Sequence, residues 1–164
     1  MRFSTVVLLT LSVLTTISPT LACSCAPPPT FQKVYCDSPV SFRGTVLART
    51  DNCPGRCDQI ADQFDGEIVF IVRVDRHFSG PSVEDGIAYL RTAVNGGLCG
   101  IELTVGTQYM FNLRSPQNRE GQCPSTVYDI GLCSFPVTWK SLSRELRRFV
   151  VRDARTMGAL CKSL

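Results

Sequence analysis

The chain has 164 residues, of which 44% are hydrophobic and 19% are charged, and it contains nine cysteines. This length is typical of one domain, and the composition excludes disordered, collagen-like and low-complexity chains. The formal net charge of +3 is too small to indicate nucleic-acid binding. Because nine is an odd number, at least one cysteine lacks a partner within the chain.

The first 22 residues have the pattern of a secretory signal peptide. Arg2 precedes an apolar run over residues 6–13, and a Thr-Leu-Ala sequence ending at Ala22 suits cleavage. We therefore expect a soluble, secreted, extracellular protein without a membrane span. Cleavage after Ala22 makes Cys23 the first residue, with a free α-amino group. A lipidated cysteine is the alternative, but no leucine stands where a lipobox requires one.

The segment that follows Cys23 is predicted to be stiff. Cys25 lies two residues further on, and residues 27–29 are all proline, which fixes φ and favours an extended conformation. Chain ends normally fray, so a stiff end indicates that something holds it. The two cysteines are the obvious anchors.

Beyond Cys36 the pattern predicts β-structure. Residues 66–78 alternate strictly, which puts Ile68, Phe70 and Val72 on one face together with Val74. Turns rich in Gly, Pro and Asn separate the candidate strands. The five predicted strands cover residues 40–48, 66–78, 87–91, 108–114 and 127–133. Five short strands predict a closed or nearly closed barrel.

Helical spacing appears only near the end of the chain. Leu142, Leu146, Phe149 and Val150 recur at intervals of three and four residues, and Ser141 or Ser143 is suited to cap the helix. The remaining positions carry five arginines, namely Arg144, Arg147, Arg148, Arg152 and Arg155. These arginines form either a surface for heparan sulfate or an acidic partner or, more simply, a solvated face.

An enzyme is not expected. His77 is the only histidine, so the chain has no HExxH zinc site, and any catalytic triad would depend on one residue inside a strand pattern. Cys53 and Cys57 flank a Pro-Gly turn. They are interpreted as a local disulfide in preference to a metal site, with pairing elsewhere as the alternative.

The predicted N-terminal amine has chemistry of its own. An α-amino group has a pKa of about 7.7–8.0, so part of it is neutral at physiological pH and able to bind a metal. With the carbonyl oxygen of Cys23 it forms a five-membered chelate. That chelate can complete a catalytic zinc that has three protein ligands and an exchangeable water. The alternative is that Cys23 is simply one half of a structural disulfide.

Several blocks of sequence resemble one family. The blocks are CSCAPPPTFQKVYC, CDSPVSFRGTV, VNGGLCG, GTQYMFNL and CSFPVTWKSLS, with Cys161 near the end. They are similar to the inhibitory N-terminal domain of the tissue inhibitors of metalloproteinases, a netrin-like module. The resemblance implies a disulfide-stapled, five-stranded, OB-like closed barrel with a C-terminal helix over residues 23–161. Residues 162–164 then form a short tail, and we expect the family's second, six-cysteine domain to be absent.

The resemblance also implies a disulfide pattern and a site. The implied disulfides are Cys23–Cys99, Cys25–Cys133 and Cys36–Cys161, which leave Cys53, Cys57 and Cys123 unassigned. The backbone amine and carbonyl of Cys23 would chelate the zinc of a target protease of the matrix metalloproteinase or adamalysin type. The inhibitor itself would need no cofactor. The implied protease-contacting residues are Cys23, Ser24, Cys25, Ala26, Pro27, Gly96, Gly97, Leu98 and Cys99.

Two other functions remain open at this point. A non-inhibitory netrin-like module that binds extracellular matrix or a receptor would have the same fold and disulfides. A secreted redox protein would use Cys53 or Cys123.

Overall fold

The computed structural model of the protein describes residues 30–50, 67–94, 99–118, 126–156 and 159–163. The predicted signal peptide, the proline run and the cysteines at 53, 57 and 123 lie outside the described residues. The described helices are α1 (Phe31–Asp37) and α2 (Arg144–Arg155). The strands are β1 (Val40–Thr50), β2 (Glu67–Ser79), β3 (Ile87–Ala93), β4 (Gln108–Leu113), β5 (Gln117–Asn118), β6 (Thr126–Asp129) and β7 (Val137–Thr138).

The prediction of a mainly β fold with a C-terminal helix is confirmed. The strands follow the order β5-β6-β3-β2-β1-β4-β7, and all neighbours are antiparallel except β3 and β6, which are parallel. Each of the five predicted strands corresponds to one of the five longer strands. The last one, β6, stops at Asp129, and the rest of the predicted strand contains a 3₁₀ turn at Leu132–Ser134.

The prediction of a closed five-stranded barrel is wrong. Six strands, from β6 to β7, form an open ladder, and the two-residue β5 pairs only with β6. A closed barrel would require β6 to pair with β4. Within the described residues, the outer edge of β6 pairs with β5 and the outer edge of β4 pairs with β7. The sheet is nevertheless strongly curled, because the ring centroids of Phe42 in β1 and Tyr128 in β6 lie 6.3 Å apart. In a flat sheet, strands three places apart would be about 14 Å from each other.

The curled sheet encloses the main core. Alternation along β2 buries Ile68, Phe70 and Val72, as the sequence predicts. Phe42 of β1 and its cross-strand neighbour Phe111 of β4 are fully buried in the same cluster, with ring centroids 5.3 Å apart. Burying large apolar side chains is the main stabilising contribution to such a fold.

The helix α2 covers a second cluster on the outside of the sheet. Its cap is Ser143, whose Oγ accepts a hydrogen bond from the N–H of Leu146 at 3.2 Å. Val150 is fully buried and belongs to a cluster that includes Phe78 and Met110 of the sheet. The apolar spacing that predicted this helix therefore marks its packed face. None of the described helices is long and apolar enough to cross a membrane.

The short helix α1 is not predicted by the sequence analysis. The Oγ1 of Thr30 caps it by accepting from the N–H of Lys33 at 3.3 Å. Tyr35 packs edge-on against Phe149 of α2, and its burial together with the negative charge of Asp153 raises the pKa of the Tyr35 phenol. These contacts fix α1 against the C-terminal helix.

A disulfide joins α1 to the end of the described chain. Cys36 and Cys161 are bonded, with their Cα atoms 5.3 Å apart, as the resemblance implies. The buried Asp153 supports this joint, because its Oδ1 accepts hydrogen bonds from the N–H groups of Leu160 and Cys161 at 3.0 and 3.1 Å. The last turn is thereby held to α2 as well as to α1.

Candidate functional site

Of the residues predicted to contact a protease, the structure describes only Cys99. The others, which are Cys23, Ser24, Cys25, Ala26, Pro27, Gly96, Gly97 and Leu98, lie outside the described residues. The candidate site is therefore described around Cys99 and Cys133, the two cysteines to which the resemblance ties the N-terminus.

Cys99 and Cys133 belong to neighbouring segments. The N–H of Leu132, the residue before Cys133, donates a hydrogen bond to the carbonyl oxygen of Cys99 at 2.8 Å. Both cysteines are in disulfides. Their implied partners, Cys23 and Cys25, lie outside the described residues, and these two pairings stay predictions.

The strand β3 positions Cys99. The N–H of Ile101 donates to the Oγ1 of the buried Thr92 at 3.1 Å, which fixes the chain just after Cys99. Cys99 itself has φ 66, in the left-handed region that few residues other than glycine adopt. Such backbone is maintained only where the surrounding structure determines it.

The segment containing Cys133 is equally well fixed. The N–H of Gly131 donates to the Oγ of Ser134 at 3.0 Å, and the N–H of Ser134 donates to the carbonyl of Gly131 at 2.8 Å. A Cβ added at Gly131 would lie 3.0 Å from the carbonyl oxygen of Cys99. Glycine at this position therefore allows the two segments to approach each other.

An ion pair attaches this region to the sheet. The Nε and Nη2 of Arg91 in β3 lie 2.7 and 2.5 Å from Oδ1 of Asp129, its parallel neighbour in β6. The Arg91 side chain is only 10% exposed, and its Nη1 is 3.5 Å from Oε2 of Glu67. The N–H of Ile130 also donates to the carbonyl of Arg91 at 2.8 Å. The chain that leads into the Cys133 turn is thus anchored at its base.

Both cysteines line one groove of about 600 Å³. It lies between the end of α1, the end of β4 and the Leu132–Ser134 turn, and Asp37, Arg114 and Asp129 supply charges of both signs. Leu132, which precedes Cys133 and lines this groove, is an apolar side chain that is 44% accessible. The sequence analysis missed Leu132 because it was assigned to the interior of a predicted strand.

The described part of the site has no catalytic arrangement. In residues 30–50, 67–94, 99–118, 126–156 and 159–163, no three His, Cys, Asp or Glu side chains come together to hold a metal ion. His77 lies in β2, where its Nε2 is 2.9 Å from the carbonyl of Pro81. What the arrangement can do is hold two disulfide-bonded cysteines in neighbouring segments, next to the exposed side chain of Leu132.

Comparison with known proteins gives one consistent result. The family model described as tissue inhibitor of metalloproteinase matches residues 21–163. The chain is 26% identical to metalloproteinase inhibitor 2 of Homo sapiens over 148 residues, which cover 90% of this chain and 62% of that protein. It is equally similar, at 26%, to the metalloproteinase inhibitor 2 of Cavia porcellus, over 86% of this chain and 59% of that protein. The chain thus spans about three fifths of the length of these curated relatives.

Proposed function

Because the chain belongs to the tissue inhibitor of metalloproteinase family, we propose that it is a secreted inhibitor of zinc metalloproteinases and not an enzyme. The match over residues 21–163 is the observation that carries this proposal. The relatives add support, since each is named as a metalloproteinase inhibitor.

The proposed mechanism is chelation of the target's zinc by the N-terminus. After cleavage, the amine and carbonyl oxygen of Cys23 displace the water on the zinc of the protease. The amine binds through its neutral form, which is populated near pH 7 because its ordinary pKa is about 7.7–8.0. No peptide bond then lies across the zinc in a cleavable pose, so the inhibitor is not consumed. The metal belongs to the protease, and the inhibitor needs no cofactor.

The closeness of Cys99 and Cys133 supports this mechanism. Cys23 and Cys25 are separated by one residue, so their Cα atoms can be at most about 7 Å apart. Each disulfide adds a Cα–Cα distance of about 4.4–6.8 Å. The Cα atoms of Cys99 and Cys133 must therefore lie within about 21 Å of each other, and the hydrogen bond between Leu132 and Cys99 satisfies that requirement.

The same arrangement would favour binding without a covalent step. Two disulfides and three successive prolines would hold residues 23–27 extended, with the segment containing Gly96, Gly97 and Leu98 beside them. An inhibitor that is already ordered loses less conformational entropy on binding. In this proposal Ser24 points towards the specificity pocket next to the zinc, and Cys25, Ala26 and Pro27 run along the cleft.

The decisive experiment compares two forms of the secreted protein on a matrix metalloproteinase catalytic domain. One form begins at Cys23, as verified by intact mass and N-terminal sequencing, and the other has a single alanine before Cys23. The extra residue blocks the amine and moves it off the zinc, so inhibition should be lost while the melting temperature and disulfide map stay the same. Equal potency of the two forms would rule out chelation.

The alternative function is an outcome of the same assay. If neither form inhibits matrix or adamalysin-type enzymes, the protein is instead a non-inhibitory binding module.

Ser24→Gly should change the ranking of target proteases without changing stability. Ser82→Gly, the same change in an exposed turn between β2 and β3, is the matched control.

A further inference from the structure

The solvent-facing side of α2 is a continuous line of positive charge. We call Arg144, Arg147, Arg148, Arg152 and Arg155 the arginine stripe. These side chains line a groove of about 640 Å³, and the only other described residue in its lining is Val151. From Arg144 to Arg155 the stripe runs about 16 Å along the helix axis.

The charge of the arginine stripe is not neutralised within the described chain. None of its five guanidinium groups is within 4.0 Å of a described carboxylate oxygen. Of the two acidic residues of α2, Asp153 points into the protein, where it accepts hydrogen bonds from Leu160 and Cys161. Glu145 is exposed but is not part of the groove lining.

A solvated helix face does not explain this arrangement. Arg144, Arg148 and Arg152 follow one another at intervals of four residues, and like charges at this spacing destabilise a helix. Arg144 also occupies the first position of α2, where the helix dipole disfavours a positive charge. Helix stability therefore favours other residues at Arg144 and Arg148, whereas Arg152 lies in the last turn, where the dipole favours a positive charge. An anionic ligand would relieve the repulsions at the start and middle of the helix.

One member of the stripe is fixed in place by its surroundings. The Nε of Arg147 donates to the carbonyl oxygen of Leu142 at 3.0 Å. Its guanidinium carbon also lies 6.0 Å from the ring centroid of Trp139. The other four side chains are exposed. The groove thus combines one oriented cation with four that are open to a ligand.

We propose that the arginine stripe binds a linear sulfated polysaccharide. The planar guanidinium group pairs with two oxygens of one anion, which suits sulfate esters repeated along a chain. None of the described residues that line the groove is aromatic, so they offer no ring on which a nucleic-acid base could stack. Val151 is the one apolar residue in the described lining, too little for insertion into a lipid surface. The arginine stripe includes none of the residues proposed to contact a protease, so the proposal does not rest on inhibition.

The test uses two variants that lower the net charge equally. The stripe variant carries Arg144→Gln, Arg148→Gln and Arg152→Gln, and glutamine keeps the helix propensity. The control carries Lys33→Gln, Arg49→Gln and Arg73→Gln, which remove three exposed cations outside α2. Binding to an immobilised heparin fragment is measured between about 50 and 200 mM salt, because release of counterions makes polyanion affinity salt-dependent. Tryptophan fluorescence and melting temperature verify that each variant is folded.

We expect the stripe variant to lose at least about tenfold in affinity at physiological salt. The slope of log affinity against log salt should also become shallower, by the equivalent of about three ionic contacts. The affinity of the control variant for the heparin fragment should stay within about twofold of that of the unmodified protein, because the control keeps the whole arginine stripe. Equal losses in the two variants would overturn the proposal, as would no binding of the unmodified protein. Equal or tighter binding to polyglutamate, phosphatidylserine vesicles, a single-stranded oligonucleotide or desulfated heparin would also overturn it.

Discussion

The backbone N–H of Leu132 donates to the carbonyl oxygen of Cys99 at 2.8 Å. Through this bond, two segments far apart in the chain present Cys99 and Cys133 as neighbours. Each segment also contacts β3. The chain after Cys99 is hydrogen-bonded to Thr92, and the chain before Cys133 is bound through Asp129 to Arg91. Because Thr92 and Arg91 are adjacent in β3, one strand sets the position of both cysteines.

Gly131→Ala tests whether inhibition depends on this contact. The new Cβ would be 3.0 Å from the carbonyl oxygen of Cys99, so the two segments must move apart. If the segments hold the N-terminus, the inhibition constant should rise about tenfold, equivalent to ~1.4 kcal/mol of binding energy. Inhibition of a matrix metalloproteinase catalytic domain is the measurement.

Gly106→Ala is the control for a general loss of stability. Gly106 has φ +79 and open space around its Cα, so alanine there costs backbone strain of about 1 kcal/mol. Both variants should therefore melt at lower temperature, but only Gly131→Ala should weaken inhibition. If Gly106→Ala weakens inhibition equally, the Cys99 contact has no special role.

The ion pair between Arg91 and Asp129 should stabilise the fold. Asp129→Asn removes the negative charge facing a guanidinium whose side chain is only 10% exposed. Because Asp129 is itself 42% exposed, we expect a loss of about 1–2 kcal/mol in the free energy of unfolding rather than the larger cost of a fully buried pair.

Glu102→Gln provides the comparison for that variant. Its partner Arg49 is 3.7 Å away and both side chains are well exposed, so the change should cost less than about 0.5 kcal/mol. Urea denaturation gives both values, provided that the m-value is unchanged. Similar costs for the two variants would mean that burial of Arg91 contributes nothing.

The acid sensitivity of the fold should depend partly on Asp75. Burial alone would raise the pKa of this carboxyl, but hydrogen bonds from Thr45, Gln108 and Arg73 hold it below its usual value of 3.8. A carboxyl with a lowered pKa in the folded state stabilises the protein above its unfolded pKa. That stability is lost as the pH falls through the folded value.

Thr45→Val removes one of these donors, whose hydroxyl is 2.6 Å from Oδ2 of Asp75. The variant should be less stable by about 1 kcal/mol at pH 7, and the difference should shrink below pH 3.8 as Asp75 becomes protonated. Thr45→Ser keeps the hydroxyl and should follow the unmodified protein. Unfolding free energies from pH 7 to about pH 2 are the measurement, and a pH-independent difference would contradict the role of Asp75.

The sequence predicts the long strands but not how their sheet ends. Alternation along β2 is visible because Ile68, Phe70 and Val72 fill one enclosed core. The strands β5 and β7 have two residues each, too short for any alternation, and pairing with β6 and β4 alone defines them. Whether a sheet closes depends on such edge pairings between distant segments.

Short helices and individual contacts are equally hard to predict from the sequence. The seven residues of α1 would not be helical in isolation, and Tyr35 and the Cys36–Cys161 disulfide hold them in place. Nothing in the local sequence indicates the left-handed backbone of Cys99. The Arg91–Asp129 pair depends on a parallel register between β3 and β6 that no local pattern encodes. The cysteine pairing came from the family resemblance and not from spacing.

Leu132 is the described side chain best placed to contact a protease directly. It is 44% exposed and adjoins both Cys99 and Cys133, so a protease bound to the predicted N-terminal site would cover it. Burying an exposed leucine stabilises a complex in proportion to the apolar area covered. Leu132→Ser should therefore raise the inhibition constant about tenfold, or ~1.4 kcal/mol, without changing the melting temperature. Leu47→Ser is the matched control, because Leu47 is 42% exposed and lies on β1, about 23 Å along the strand from Val40, the residue after the groove-lining Pro39. Inhibition that falls equally in both variants would place the protease elsewhere.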